Sequence, residues 1–416
     1  GFLDMVGSAT AVLPVNFNAA LAVMRNKKYR PSADKVTEWL NNMPDNIITN
    51  VKSHVSWIVE MQFPNESIQV SEKTEDTTEN ANYLSIVDQF TTIASKFPNR
   101  TALIDGNLSI TYQELVYLTK QIHSYYATTT SKQLVFYFPQ SATLVAAVLA
   151  GLQSGKFILF IPFFGLSQFE QCRKDFDGAA LITCREGLSL ISEKCPDLIP
   201  LFANILMLDE MNSSFDNNEN KISTVDTNCT EIGFLTSGTT GYSKVVIHSI
   251  YSLSMCVANF VETAKPSDKD RLLLVNEVTH MGGFMGCFSM LSKGSIVILE
   301  RGFQLDTFDQ IVHKYEPTYI LLMSSLFELW YIAHYEFQPL PEYLNCIIIG
   351  GDKVTTSITK AVSIYPDKKF VVTYGLSECG AMLTTKLTPN SSSEILGYPV
   401  KGVQCEIRDQ NLKSLS

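Results

Sequence analysis

The stretch Thr236-Ser237-Gly238-Thr239-Thr240-Gly241-Tyr242-Ser243-Lys244 follows directly on an apolar, strand-like run from Ile232 to Leu235, and its reading decides how the rest of the chain is understood. Glycines, hydroxyl side chains and a single lysine are what a polyphosphate asks for. Glycine lets the backbone approach closely, Ser and Thr donate hydrogen bonds to phosphate oxygens, and Lys supplies a compact cation. The pattern is not the Walker one, because Ser243 stands where that motif needs glycine before its lysine. A hydroxyl-rich turn without a ligand is the plain alternative. The strand in front and the lysine behind favour phosphate.

Working outward, strand and helix signals alternate. On the N-terminal side lie a helix over Ile86 to Lys96, strands near Ala102-Ile104 and Leu134-Phe138, and a helix from Ala142 to Leu152. On the C-terminal side a helix is expected from Ser252 to Ala264, followed later by the clearest unit in the chain. There Asn345-Ile349 is a strand, Gly350-Gly351-Asp352 a turn, Thr355 to Ile364 a helix, Lys369-Thr373 a strand and Tyr374 to Glu378 a second turn. This alternation predicts an α/β fold with a parallel sheet, whose strand-to-helix turns fall at the carboxyl ends of the strands, where ligands bind. Two polar stretches, 69–82 and 211–230, read as an interdomain linker and a surface loop.

Composition narrows the function classes. The chain has 416 residues, 45% of them hydrophobic and 18% charged, enough to build more than one core. With 42 acidic against 32 basic residues the net charge is -10, so no broad basic face is offered to a phosphate backbone and nucleic acid is not an expected partner. Nine scattered cysteines without a C-x-x-C pair suggest a reduced, cytoplasmic protein. The most membrane-like run, Leu144 to Leu166, is broken by Gln153-Ser154-Gly155-Lys156 and by Pro162. It suits a helix, turn and buried strand better than a span of about 20 apolar residues.

Four ordered blocks over roughly residues 84 to 410 resemble the adenylate-forming enzymes, the superfamily of acyl-CoA synthetases, luciferase-like ligases and peptide-synthetase adenylation domains. Thr236 to Lys244 is similar to their phosphate-binding signature, and Ile110-Thr111-Tyr112-Gln113-Glu114-Leu115 to the motif that opens their catalytic domain. Gly350-Gly351-Asp352 resembles their adenine-contacting turn, and Tyr374-Gly375-Leu376-Ser377-Glu378 the turn that completes the nucleotide site. The resemblance implies a large N-terminal domain of layered parallel and mixed sheets with flanking helices. It also implies the roles. Thr236, Ser237, Gly238, Thr239, Thr240, Gly241 and Lys244 would hold the outer phosphates of ATP, while the backbone at Gly350, Gly351 and Asp352 and the ring of Tyr374 would flank adenine, with Gly375 and Leu376 in the turn that completes the nucleotide site. Ser377 would bond the α phosphate and Glu378 would help hold Mg²⁺, with Lys244, Ser377 and Glu378 the catalytic set. Two departures stand out: Ser243 where the family places proline and Val245 where it places glycine.

Ahead of the Lys293-Gly294 turn, domains that select α-amino acids place a Phe-Asp pair whose carboxylate holds the ammonium. Here the position is Met281, within His280-Met281-Gly282-Gly283. That tetrad resembles the H-x-x-G pattern of acyl and aryl acid activators, in which small residues leave room for the chain. A histidine satisfied within a turn is the plain alternative. The expected activity is ATP-dependent activation of a carboxylic acid as acyl-adenylate for a thiol, either a phosphopantetheine carrier or CoA, within a larger synthetase. The alternatives are a stand-alone fatty or aryl acyl-CoA ligase and a catalytically weak nucleotide-binding remnant with a scaffolding role. Residues 1–66 read as an N-terminal extension with weak likeness to the tail of a condensation domain, 67–83 as a linker, and 84–416 as the adenylation domain. The family's ribose-binding Asp, hinge and small C-terminal domain do not appear, so either a fragment of a longer protein or a chain that has lost the part that makes the site efficient is expected.

Overall fold

The structure, a computed structural model, describes residues 84–163, 165–210, 230–236, 244–392, 394–403 and 405. The expected extension 1–66, the linker 67–83, most of the polar stretch 211–230 and most of the strand-like end at 403–408 lie outside the described residues. In chain order the strands are β1 (Thr101–Asp105), β2 (Leu108–Thr111), β3 (Gln133–Phe136), β4 (Phe157–Phe160), β5 (Ala180–Thr183), β6 (Asn204–Met207), β7 (Glu231–Thr236), β8 (Lys244–Ser249), β9 (Arg271–Leu274), β10 (Ile296–Leu299), β11 (Tyr319–Met323), β12 (Cys346–Gly350), β13 (Lys369–Leu376), β14 (Gly380–Lys386) and β15 (Tyr398–Pro399). The α-helices are α1 (Ile86–Lys96), α2 (Tyr112–Tyr126), α3 (Ala142–Leu152), α4 (Leu166–Gln171), α5 (Arg185–Lys194), α6 (Ile250–Ala264), α7 (Met281–Leu291), α8 (Leu305–Tyr315), α9 (Ser324–His334) and α10 (Thr356–Ile364).

Side-chain caps fix several helix starts. Ser85, Ser141, Ser249 and Thr355 accept first-turn N–H groups, and Thr111 with Glu114 forms a reciprocal capping box. The helices expected at Ile86–Lys96 and Ala142–Leu152 are found with those bounds. In α3 ten of eleven residues are buried, and the chain then turns and runs as β4, so the apolar run is a core helix followed by a core strand. Among the described residues no helix is long and apolar enough to cross a membrane.

The strands form two sheets. The larger runs β15-β14-β13-β12-β11-β9-β10-β1-β2 and the smaller β6-β5-β3-β4-β7-β8. Both are parallel in their interiors; the larger is antiparallel at both edges, through β2 on one side and β14 and β15 on the other, and the smaller at one, through β8. Strands such as β9 are apolar on both faces because both are covered. Leu272 and Leu274 enter a core shared with Phe284 and Phe288 of α7 and with Phe136, Phe160 and Phe234 of the smaller sheet, while Leu273 faces Phe327 and Trp330 of α9. A third cluster, with Tyr137, Leu159 and Leu181, covers the outer face of the smaller sheet. The result is alternating helical and sheet layers.

One expected boundary moves. Tyr374-Gly375-Leu376, read as turn, belongs to β13, which continues past Thr373 because β14 pairs with it antiparallel. The register slips between Tyr374 and Gly375, a bulge that the pattern of apolar residues does not announce.

Candidate active site

The carboxyl edge of the larger sheet gathers three of the segments singled out above. In the parallel register Leu274 lies beside Leu321, Met323 beside Gly350, and Gly350 beside Thr373. The loop carrying His280 and Met281 therefore leaves β9, the Gly350-Gly351-Asp352 turn leaves β12, and Tyr374 to Glu378 ends β13, all on the side where open α/β sheets bind ligands.

Glycine is required at the turn after β12. Gly351 has φ 76°, and Gly350 packs so closely on β13 that a Cβ would stand 2.6 Å from Thr373 Oγ1. Asp352 is exposed. Its carboxylate accepts the Lys353 N–H at 2.7 Å, and its carbonyl accepts the Ser324 hydroxyl at 3.1 Å, pinning the turn to the start of α9. On β13 the ring of Tyr374 and the Leu376 side chain are exposed, 39% and 51% respectively, which leaves apolar surface available beside the Gly350-Gly351 backbone. Gly375 sits at the bulge, where a Cβ would fall 1.9 Å from the Gly380 carbonyl oxygen. Ser377 is half-buried. Glu378 is exposed, and its carboxylate makes no hydrogen bond or ion pair among the described residues.

His248, which sequence reasoning missed, joins the strand that begins at Lys244 to this edge. Its Nε2 lies 2.6 Å from the Ser377 carbonyl oxygen, which can only accept, so Nε2 carries the proton; in the neutral ring Nδ1 then accepts from the Ser252 hydroxyl at 3.0 Å. The imidazole is buried edge-on against Phe234. Lys244, exposed at the start of the same strand, stands about 13 Å away at ordinary strand rise. Thr236 pairs with Lys244 across the β7–β8 ladder, and its hydroxyl donates to the Lys244 carbonyl at 3.4 Å. Ser237, Gly238, Thr239, Thr240 and Gly241, between these paired ends, lie outside the described residues. The signal that could have found His248 is its place on the strand that begins at Lys244, with Ser252 a helical turn beyond.

The loop between β9 and α7 is anchored to both sheets. Gln140, also missed, spends its whole amide there: Nε2 donates to the carbonyls of Leu274 at 3.1 Å and Glu300 at 3.0 Å, and Oε1 accepts the Val278 N–H at 2.9 Å. The buried Glu277 carboxylate accepts the Phe163 N–H and the Thr279 hydroxyl, both at 2.9 Å. Replacing Gln140 with leucine should keep the volume but orphan the Val278 N–H and the Glu300 carbonyl, a loss on the order of 3 kcal/mol in urea unfolding. A loss under about 0.5 kcal/mol would show that other groups take over those bonds.

His280 is the residue that precedes α7. It is exposed. Desolvation holds its pKa below the usual histidine value, partly opposed by the Glu277 carboxylate. Met281 and Met285 are buried in the inter-sheet core, and Cys256 and Gly380 close in beside Met285. The two glycines differ, which corrects the reading that both leave room. A Cβ on Gly282 would meet nothing within 4 Å, whereas one on Gly283 would lie 2.0 Å from the Glu277 carbonyl oxygen. Only Gly282 has open space where a side chain would begin; Gly283 is needed for close packing.

Comparison with known proteins bears on the family and the fold. A curated relative, the 2-succinylbenzoate--CoA ligase of Bacillus velezensis, is 27% identical over 176 residues, covering 42% of this chain and 35% of its own. The nonribosomal peptide synthetase asaC of Aspergillus flavus is 25% identical over 334 residues, covering 76% of this chain and 31% of its own. The chain thus spans about a third of the length of these relatives. Among solved structures, the N-terminal domain of FACL13 from Mycobacterium tuberculosis superposes with a TM-score of 0.68 at 15% identity, covering 80% of this chain and 86% of that one. O-succinylbenzoate Coenzyme A Synthetase (MenE) from Bacillus subtilis, in complex with AMP, gives a TM-score of 0.65 at 20% identity, with 79% and 84% covered. Both show the same fold. The model of the family described as AMP-binding enzyme matches residues 90–416, most of the chain, and this protein belongs to that family.

Proposed function

We propose that the chain activates a carboxylic acid: a carboxylate oxygen attacks the α phosphorus of ATP, giving acyl-AMP and pyrophosphate, and the acyl group then passes to a thiol of CoA or of a phosphopantetheine carrier. The observation that carries this reading is the convergence of the Gly350-Gly351-Asp352 turn, the Tyr374 to Glu378 segment and the His280-Met281 loop on one carboxyl edge, with His248 tying the Lys244 strand to Ser377. Adenine would lie between the Gly350-Gly351 backbone and the exposed Tyr374 ring, and Ser377 would bond the α phosphate. Lys244 and the hydroxyl-rich loop of residues 236–241 would offset charge on the outer phosphates. This reaction needs no protein nucleophile. Its rate would come from alignment and from cationic and hydrogen-bonding groups fixed in advance.

Glu378 fits a Mg²⁺ ion held mainly by phosphate oxygens: it is an exposed carboxylate, uncommitted among the described residues, next to Ser377. The ion would supply positive charge to the phosphates when bound. The Met281 and Met285 surroundings suit an apolar acid better than an α-amino acid. Scattered free cysteines fit a cytoplasmic setting.

Calorimetry with ATP and with AMP, each with Mg²⁺, tests the phosphate assignment. Lys244→Ala should weaken ATP about tenfold and leave AMP nearly unchanged, as loss of one cation at the outer phosphates requires. Equal weakening of both nucleotides would remove Lys244 from that role.

A further inference from the structure

We propose that the N-terminus of α9 is a subsite for a second oxygen-bearing group, a carboxylate at the far end of the substrate acid. The proposal rests on the acid-activating reading above. Helix α9 begins straight from the carboxyl end of β11, and its preceding residue Met323 places no side-chain cap on it. The first N–H groups of such a helix have no acceptor within it and carry the positive end of its dipole.

A second observation points to a ligand. Ser325, in the first turn, is only 6% exposed, and its hydroxyl has no hydrogen-bond partner among the described residues. Helical side chains lean toward the N-terminus, so this hydroxyl points to the uncapped end. Its neighbour Ser324 behaves differently, donating to the Asp352 carbonyl and fixing α9 against the turn after β12.

The position suits the acid. Strand β11 lies between β9 and β12, so the start of α9 sits on the edge between the His280-Met281 loop and the Gly350-Gly351-Asp352 turn. A buried hydroxyl beside free backbone N–H groups binds a carboxylate well, because charge-assisted hydrogen bonds are the stronger kind. On this edge the Asp352 carboxylate accepts the Lys353 N–H, and its carbonyl is what Ser324 engages.

The test uses acyl-sulfamoyl-adenosine mimics in matched pairs, hexanoyl against adipoyl and octanoyl against suberoyl, titrated by calorimetry into the full chain. At least one carboxylate-ended member should bind about tenfold more tightly than its partner. Ser325→Ala should abolish that preference, and Ser325→Thr, which keeps the hydroxyl, should retain it. Ligand-free Ser325→Ala should melt no lower than the parent, since it deletes an unpaired buried hydroxyl. Equal affinities within both pairs, or a preference that survives Ser325→Ala, overturns the subsite and leaves adenylation standing. Failure of all the mimics to bind overturns both.

Discussion

A Gly375→Ala variant is expected to lose at least about 3 kcal/mol of stability, with nucleotide binding lost along with it, because its Cβ would be forced onto main-chain atoms. The added atom would lie 1.9 Å from the Gly380 carbonyl oxygen and 2.7 Å from its carbonyl carbon. No rotamer relieves a collision between Cβ and backbone. The β13–β14 ladder must open at its bulge, which is where Tyr374, Ser377 and Glu378 are held. Gly282→Ala provides a control of opposite sign. It sits in the first turn of α7 with nothing within 4 Å of its Cβ, so alanine should stabilise by up to about 1 kcal/mol through helix propensity. Urea midpoints of the two variants check both signs at once. A Gly375→Ala protein within about 1 kcal/mol of the parent would mean that the bulge does not hold the turn in solution.

The second large effect concerns substrate choice. In a pyrophosphate-exchange panel, medium-chain fatty and aryl acids should exceed the proteinogenic amino acids by about a hundredfold. That ratio corresponds to roughly 3 kcal/mol for one buried ammonium without a partner. By the family resemblance Met281 would stand where the contacting carboxylate is needed, and it is buried at the start of α7. The nearby carboxylate of Glu277 is already taken by the Phe163 N–H and the Thr279 hydroxyl. Met281→Asp should narrow the gap or reverse it. Because a buried aspartate also destabilises, the ratio of acid to amino acid is the informative readout rather than either rate. A clear preference of the parent for one α-amino acid would show that another carboxylate supplies the contact.

Much of this architecture was legible in the chain itself. Where caps and periodicity are local, they set the outcome: Ser85 and Ser141 start helices whose bounds could be read from spacing, and short apolar runs bounded by glycine mark β7 and β12. The blocks around Thr236, Gly350 and Tyr374 were visible because phosphate and adenine recognition draws on contiguous backbone and short polar side chains. What the chain could not declare were contacts between residues far apart in sequence. His248 meets Ser377 and Gln140 meets Val278 only after both sheets have stacked, and the difference between Gly282 and Gly283 depends on where the Glu277 carbonyl comes to rest. Local propensity acts over one helical turn or one strand, so it determined the elements and the turns proposed to bind phosphate and adenine. The site depends on register and layer stacking, so only the tertiary structure decided which of those turns share an edge and which side chains hold them there.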